Sequence, residues 1–392
     1  MDDHSSDTLD DIVRKEFERG LQGEGIAKYE QTDWVDYFGY EKDPFQPQPE
    51  DTLETFYDRV AQVQYFANLI GYQRKSGLFY HVALVGARGH GKGTLLLAIH
   101  KAMQRNAAEG GKVINLTTGT NLETGEDIGE HFLRSRDFRD CPYLFLIDCK
   151  YNDQLKLWLN TCSQAEKLVV TSWRPFHYAL AWRKFSEISA FAKPNKEIIL
   201  PPLASKDLVA LIEKRVRFYG REKSPLSDPE VYAAASYAHG NIITLMYILK
   251  QAHQLAMTSD HRQVLRTDLE RAIENLGISP EPIALSPKET NLLLVLIEWD
   301  IARRRIAPKD VARSLDWDSA LTWRYFRRLV SLKILRKEGY QKGARYVLNE
   351  EGVSLAEQAF LREFMTQKIA NPLDSILNEE PKEEPQEEGE PE

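Results

Sequence analysis

A glycine-rich segment in the first quarter of the chain carries residue types that bind phosphate groups. It reads Gly-Ala-Arg-Gly-His-Gly-Lys-Gly-Thr, directly follows the apolar run His81–Val85 and opens a helix predicted over Gly91–Gln104. In a strand–loop–helix of this kind, successive backbone N–H groups converge on phosphate oxygens, and the lysine reaches the terminal phosphates of a nucleotide. The residues predicted to bind ATP here are Gly86, Arg88, Gly89, His90, Gly91, Lys92, Gly93 and Thr94.

The residue after the lysine differs from the usual phosphate loop. A Ser or Thr normally stands there and its hydroxyl ligates Mg²⁺, whereas this chain has Gly93 followed by Thr94. We expect Thr94 to supply the Mg²⁺ contact after a small shift, unless the contact is indirect. The Gly-Lys-Gly-Thr spelling is similar to that of adenylate-type nucleoside monophosphate kinases, so a nucleotide kinase stays open. The structural alternative is a glycine-rich turn with an exposed lysine.

A carboxylate follows the apolar run Tyr143–Ile147, which predicts a buried strand. Asp148 stands where phosphate-loop ATPases place the aspartate that holds the metal ion, usually through water. We therefore predict Asp148 as a catalytic and metal-binding residue. The structural alternative is a turn residue at the end of a core strand.

With these motifs the chain resembles the AAA+ ATPases, and most closely the origin-recognition/initiator group and the related transposition- and secretion-type ATPases. The resemblance covers about 38–368, and its elements include the leader segment Tyr37–Phe45. Hydrolysing members usually have a Glu after the metal-holding Asp, to orient the attacking water, where this chain has Cys149. Their lid usually carries an Arg where this chain has Ile243. The resemblance thus implies an ATP binder with slow or absent ATPase activity.

The resemblance also implies roles for residues after the next predicted strand, Lys167–Thr171. Ser172, with Thr171 before it, would sense the γ-phosphate, and the alternative is a strand-end hydroxyl satisfied by the backbone. Arg183 would be a catalytic arginine finger acting on a neighbouring copy, with Arg174 as the competing choice. A solvated surface arginine is the alternative for both.

Strand-like and helix-like segments alternate up to Pro202, and only helical periodicity follows until a hinge at Gly277 to Ser286. This pattern predicts a mostly parallel sheet with helices on both faces. We expect an α/β P-loop NTPase (AAA+) core with a helical lid, followed by a winged helix-turn-helix domain. The predicted boundaries are an N-terminal leader at 1–50, the AAA+ core at 51–203, the lid at 204–284, the winged-helix DNA-binding domain at 285–368 and a disordered acidic tail at 369–392.

The predicted winged-helix segment is strongly basic. Between Ala302 and Arg345 there are thirteen Lys and Arg residues against four acidic residues. Three predicted helices are followed there by a β-hairpin pattern with a basic tip, the order of a winged helix. Double-stranded DNA is the expected partner, and the alternatives are a solvated face or an acidic protein. The predicted DNA-binding residues are Arg324, Arg327, Arg328, Lys342 and Arg345.

Charge and composition set further bounds. The formal net charge is -8, but the tail from Glu379 to Glu392 holds eight Glu and one Lys and accounts for most of it. Three cysteines without a Cys-x-x-Cys pair suit a reducing compartment and disfavour a zinc site. Apolar runs such as Leu292–Ile297 are far shorter than a membrane span, so a cytoplasmic protein is expected.

Taken with the resemblance, these observations imply a nucleotide-dependent switch or loader in DNA replication, transposition or a related DNA transaction, with ATP and Mg²⁺ as cofactors. Two alternatives stay open beside the nucleotide kinase. One is a non-hydrolysing scaffold, and the other is a transcription regulator in which ATP is structural. A homo-oligomer or contacts with other DNA-processing proteins are compatible with each.

Overall fold

The computed structural model describes residues 34–47, 55–57, 59–106, 111–122, 124–128, 131–184, 193–220, 225–278, 283–338 and 345–370. The chain divides into two compact units, one from Met1–Val60 with Leu203–Pro280 and the other from Ala61–Pro202 with Glu281–Glu392. Most of the predicted leader, the tip of the predicted hairpin with Lys342, and residues 371–392 of the predicted acidic tail lie outside the described residues. Among the described helices, none combines the length and the apolar character needed to cross a membrane.

The second unit contains a sheet of six strands over the described ranges. The strands are β1 Tyr80–Val85, β2 Lys112–Asn115, β3 Thr120–Asn121, β4 Tyr143–Cys149, β5 Leu168–Trp173 and β6 Lys196–Ile199. Their order is β3-β2-β4-β5-β1-β6, and every neighbouring pair is parallel except β2 and β3. The central strands are buried almost throughout, as expected of strands covered on both faces. The predicted α/β fold class with a mostly parallel sheet is confirmed.

Five helices precede, connect or cover these strands in the described part of the chain. They are α1 Val60–Ser76, α2 Lys92–Asn106, α3 Arg136–Asp140, α4 Asp153–Gln164 and α5 Pro175–Lys184. The α2 helix begins one residue after the predicted start and follows β1 through the glycine-rich loop. The Asn152 side chain accepts a hydrogen bond from the Leu155 N–H and so caps the start of α4. The loop is therefore fixed between a buried strand and a long helix.

The first unit is helical, as predicted for the segment after Pro202. Its helices are α6 Ser205–Phe218, α7 Asp228–Ala238, α8 Ile242–Thr258 and α9 Arg266–Asn275. Part of the leader packs into this unit, because the rings of Trp34, Phe38 and Phe45 lie 5.5, 4.9 and 4.8 Å from the ring of His253 in α8. A short helix over 34–38 carries two of these rings. The described leader is thus part of a hydrophobic core.

The C-terminal segment follows the order of elements predicted for it. It contains α10 Pro287–Ile301, α11 Pro308–Ser314, α12 Ser319–Ser331, the antiparallel strands β7 Leu335–Glu338 and β8 Arg345–Leu348, and α13 Glu350–Ala370. The Asp318 carboxylate accepts hydrogen bonds from the N–H groups of Ala320 and Leu321 and caps α12. This cap satisfies backbone N–H groups of the first turn of α12.

The sheet and the C-terminal segment belong to one compact unit because α5 packs against both. Phe176 and Leu180 of α5 share a core with Leu292 and Leu296 of α10. The α13 helix joins the same region, since the ring of Phe360 lies 4.9 Å from that of Phe176. These contacts bring α13 close to the glycine-rich loop.

A glycine near the start of α13 allows an unusually close backbone contact. A Cβ atom at Gly352 would lie 2.3 Å from the Lys333 carbonyl oxygen and 2.6 Å from the Ile334 Cα. Residue 352 therefore has to be glycine for α13 to pack directly on the backbone that leads into β7.

Candidate nucleotide site and basic surface

The glycine-rich loop has the backbone conformation that the sequence requires of it. Gly89 and Gly91 have φ angles of +83° and +80°, in the left-handed region that favours glycine. A Cβ at Gly86 would lie 3.3 Å from both the Cβ and the carbonyl oxygen of Leu200, so a side chain there would force the loop away from the sheet. The loop has the backbone shape, at the start of α2, of loops that accept phosphate oxygens.

Lys92, the first residue of α2, is buried within this loop. Its Nζ atom donates hydrogen bonds to the carbonyl oxygens of Gly86, at 2.6 Å, and Ala87, at 3.0 Å. Burial lowers the pKa of Lys92 to about 8, although the charges of Glu357 and Asp148 act to raise it. The ammonium group is thus partly desolvated, and its hydrogen bonds to uncharged carbonyls leave its charge available to an anion.

The two other side chains of the loop have different surroundings. His90 is buried, and its Nδ1 atom lies 3.1 Å from the carbonyl oxygen of Leu200, which ties the loop to the residue after β6. Arg88 is exposed, and its backbone N–H donates to the Glu357 carboxylate. His90 therefore stabilises the loop, whereas Arg88 faces outward from it.

Asp148 lies near the end of β4, beside the loop, in a left-handed conformation with a φ of +55°. Its carboxylate is exposed and accepts a hydrogen bond of 3.1 Å from the Asn115 side chain. A Cβ at Gly93 would meet the neighbouring Ile147 at 3.7 Å, an ordinary contact. Packing therefore does not exclude Ser or Thr at position 93, and Thr94 is half-buried on the next position of α2.

Cys149, the residue after Asp148, is buried. Its Sγ atom donates to the Leu146 carbonyl oxygen at 3.3 Å, and burial raises the pKa of the thiol. A neutral buried thiol cannot orient or deprotonate an attacking water.

The two hydroxyls predicted as sensors differ in their contacts. Thr171 is held within the core, because its Oγ1 atom lies 2.7 Å from His81 Nε2 and accepts a hydrogen bond of 2.7 Å from Trp173 Nε1. Ser172 is also buried, but its Oγ atom has no hydrogen-bond partner among the described residues. Of the two, Ser172 is the hydroxyl that has spare hydrogen-bonding capacity.

Arg174 and His177 approach the same region from the end of β5 and the first turn of α5. The Nη2 atom of Arg174 and the Nδ1 atom of His177 are buried without a hydrogen-bond partner in the described part of the chain. Burial, together with the charges of Arg174, Lys150 and Lys92, lowers the pKa of His177 to about 3. The interpretation of the sequence did not include His177, which no motif marks. Arg174 Nη2 and His177 Nδ1 therefore leave hydrogen-bonding capacity unused in the same region.

The remaining predicted catalytic arginine, Arg183, lies in the last turn of α5, and its side chain is outside the described part of the structure. Ile243 is the second residue of α8 in the first unit. Among the described residues, no cluster of three or more His, Cys, Asp or Glu side chains could hold a metal ion by itself. A metal here would therefore depend on few protein ligands.

The basic residues of the C-terminal segment fall into two groups. Arg328 pairs with Glu289, and Arg345 pairs with Glu338 at 2.8 Å. Arg324 and Arg327 are exposed on α12, and the Arg324 guanidinium lies 5.8 Å from the ring of Tyr325. All four described residues of the predicted DNA-binding set are therefore exposed.

An exposed tryptophan accompanies these arginines. Trp323 precedes Arg324 on α12 and keeps 43% of its surface exposed. Its ring meets Tyr346 of β8 edge-on at 6.3 Å. Trp323 was not predicted as part of the site, although an aromatic residue interleaved with arginines is typical of nucleic-acid surfaces.

No protein-family model matches the sequence, and no curated protein matches it either. Solved structures do match it. The chain is similar to the Aeropyrum pernix ORC1 protein in complex with DNA, at 12% identity over 83% of this chain and 98% of that chain, with a TM-score of 0.48. It is also similar to Cdc6p from Pyrobaculum aerophilum, at 16% identity over 83% and 98% of the two chains, with a TM-score of 0.45.

The Thermotoga maritima RuvB Holliday junction branch migration motor matches at 17% identity over 77% of this chain and 95% of that chain, with a TM-score of 0.40. All three are similarities of fold at low sequence identity.

Proposed function

We propose that this chain is a DNA-associated AAA+ protein that binds ATP at the Gly86–Thr94 loop and acts as a nucleotide-dependent switch or loader on DNA. The observation that carries the proposal is the loop itself. Its left-handed glycines and the buried Lys92 make a phosphate cradle. The unpartnered donors of Arg174 and His177 approach the same lysine.

Each residue of the site has a distinct task in this proposal. The backbone N–H groups of the loop and the Lys92 ammonium bind the phosphates, and Arg174 and Ser172 supply donors from the strand beside it. Asp148 and Thr94 would hold Mg²⁺, which neutralises phosphate charge when bound. His177 stays neutral and orients the phosphate chain through its free ring nitrogen.

ATP turnover is slow or absent in this proposal. The buried thiol of Cys149 takes the place of a carboxylate, and the side chain nearest to it that could act on water, Asp148, is bound by Asn115. A non-hydrolysing scaffold is the second candidate function, and the same burial of Cys149 favours it.

The DNA-binding part of the proposal rests on the C-terminal segment. Arg324 and Arg327 are exposed together on α12, beside Trp323 and the β7–β8 hairpin. We interpret α12 as a recognition helix and the hairpin as the wing of a winged helix. Phosphate contacts from these arginines would provide most of the affinity, with a strong dependence on salt.

The experiment that tests the proposal measures ATP binding and ATP hydrolysis with and without duplex DNA. Lys92→Ala should abolish ATP binding, and Lys156→Ala on α4, which removes a half-buried lysine of the same unit, should leave it unchanged. Binding without turnover supports the switch or the scaffold, and phosphate transfer to a nucleoside monophosphate would instead support a kinase. Normal ATP binding by Lys92→Ala would disprove the proposed site.

A further inference from the structure

The C-terminal helix α13 places two carboxylates on the nucleotide site. Glu350 and Glu357 are two helical turns apart and so lie on one face of α13. Glu357 is fully buried, whereas 66% of the Glu350 side chain is exposed. Both come from the C-terminal segment, and neither is part of the phosphate loop or of the strands beside it.

Both carboxylates pair with the arginine that borders the site. Glu357 Oε1 accepts a hydrogen bond of 2.6 Å from Arg174 Nε, and Glu350 Oε2 accepts one of 2.7 Å from Arg174 Nη1. Burial acts to lower the pKa of Arg174, but the charges of Glu357 and Glu350 outweigh it and raise the pKa. Two of the three side-chain nitrogens of Arg174 therefore donate hydrogen bonds to carboxylates of α13.

The same carboxylates also reach the phosphate loop. Glu357 Oε2 lies 3.4 Å from the backbone nitrogen of Arg88, which donates to it, and Glu350 Oε2 lies 3.7 Å from Arg88 Nη1. Burial raises the pKa of Glu357, while the charges of Arg174 and Lys92 act to lower it. A buried carboxylate needs such partners, because an unpaired charge in the interior is costly.

These donors are of the kind that a nucleotide phosphate requires. A loop N–H, an arginine and the loop lysine form the binding set for phosphate oxygens at a site of this type. A carboxylate and a phosphate are both oxyanions, and they cannot take the same donors at the same time. Glu357 therefore accepts from hydrogen-bond donors that bound ATP would use.

We infer that Glu357 and Glu350 are internal competitors of the nucleotide phosphates, so that ATP binding displaces α13 from the phosphate loop. The inference rests on the proposed function, because it requires ATP to bind at this loop. While α13 contacts the phosphate loop, as in this structure, it lowers the affinity for ATP. ATP binding then frees a helix of the basic C-terminal segment, and by linkage a DNA complex that favours the freed helix raises the affinity for ATP equally.

The direct test compares the affinity for ATP of the parent chain with that of Glu357→Gln. This change keeps the shape of the side chain and removes its charge. We expect ATP to bind Glu357→Gln at least about tenfold more tightly, a change that corresponds to about 1.4 kcal/mol. Glu298→Gln is the matched control, since it removes a carboxylate of the same unit that pairs with Lys184 away from the loop. Its affinity should equal that of the parent chain.

The outcomes separate this inference from the proposed function. If the parent chain binds ATP, Lys92→Ala does not, and Glu357→Gln binds equally or more weakly, the competition is disproved and the nucleotide site stands. If neither the parent chain nor Glu357→Gln binds ATP, the proposed function itself fails. If Glu357→Gln binds ATP tightly and the parent chain does not, the result supports both the competition and the proposed nucleotide site.

A second measurement does not depend on the folding of a variant. Hydrogen exchange of the parent chain, recorded with and without Mg²⁺-ATP, should show faster exchange in the α13 amides when ATP is bound, while α2 becomes more protected. Unchanged or slower exchange in α13, together with protection of α2, would overturn the displacement.

Discussion

Arg174 Nε lies 2.6 Å from Glu357 Oε1, although 183 positions separate the two residues along the chain. One residue follows a central strand of the sheet, and the other lies on the last described helix. The pair makes Arg174 an internal contact of a single chain, with only 18% of its side chain exposed. This position does not suit an arginine finger that reaches into a neighbouring copy, and it suits a donor that nucleotide and α13 share.

The charge of Lys92 should respond to ATP binding. Burial lowers its pKa to about 8, so at about pH 9 the lysine is mostly neutral in the free protein. Bound phosphates favour the charged form, and binding should then be accompanied by proton uptake. Calorimetry in buffers of different ionisation enthalpy measures this uptake, and at about pH 7 Lys92 should contribute none. An equal proton uptake at the two pH values would contradict the placement of Lys92 at the bound phosphates.

The buried His177 should make the protein less stable in acid. Its pKa of about 3 in the folded chain lies below the value of about 6.5 for the unfolded chain. The unfolded state therefore binds a proton first as the pH falls below the unfolded value. The resulting loss in the free energy of unfolding approaches about 1.4 kcal/mol per pH unit.

The measurement compares urea unfolding of the parent chain and of His177→Asn at about pH 7 and about pH 5. The variant should lose less stability between the two, because it has no ring to protonate. Parallel losses in the two proteins would show that His177 does not cause the acid sensitivity.

Restoring a carboxylate at position 149 should not restore ATP hydrolysis. Cys149 is buried, with its Sγ atom bonded to the Leu146 carbonyl oxygen. We expect Cys149→Glu to lower the free energy of unfolding by about 3 kcal/mol, because it buries an unpaired charge. Cys149→Ser is the control of similar size. A stable Cys149→Glu variant with rapid ATP turnover would show that this position opens to the nucleotide.

The α12 arginines should set the salt dependence of DNA binding. Removing two phosphate contacts in Arg324→Ala/Arg327→Ala should make the slope of log K against log salt concentration shallower by about 2. Arg136→Ala/Arg139→Ala on α3 removes two exposed arginines of the same unit and should leave the slope unchanged. Fluorescence anisotropy with labelled duplex DNA over a range of salt concentrations provides the slopes. A slope that does not change in the α12 variant would argue for another DNA-binding surface.

The sequence predicts the individual elements well because each has a strong local signal. The β1 strand is a continuous apolar run, the loop after it is marked by glycines, and α12 begins after an aspartate that caps it. Periodicity also predicts the helices that follow Pro202. Local signals of this kind survive in the structure because they reflect burial and capping, which act over a few residues.

The contacts between distant elements were not predictable in the same way. Glu357 lies in a long helix, and nothing in its sequence neighbourhood indicates a fully buried carboxylate. His177 likewise has no motif, and its role depends on the packing of α5 against the loop. The site residues missed by the sequence analysis are those placed by tertiary packing alone, and they come from α5 and α13.

The glycine at position 352 has a mechanical consequence for the basic surface. It leaves no space between α13 and the backbone of Lys333 and Ile334, which leads into the β7–β8 hairpin. A helix in such close contact cannot slide or tilt without carrying the hairpin with it. Movement of α13 that begins at the phosphate loop would thus be transmitted to the β7–β8 hairpin through the close contact at Gly352.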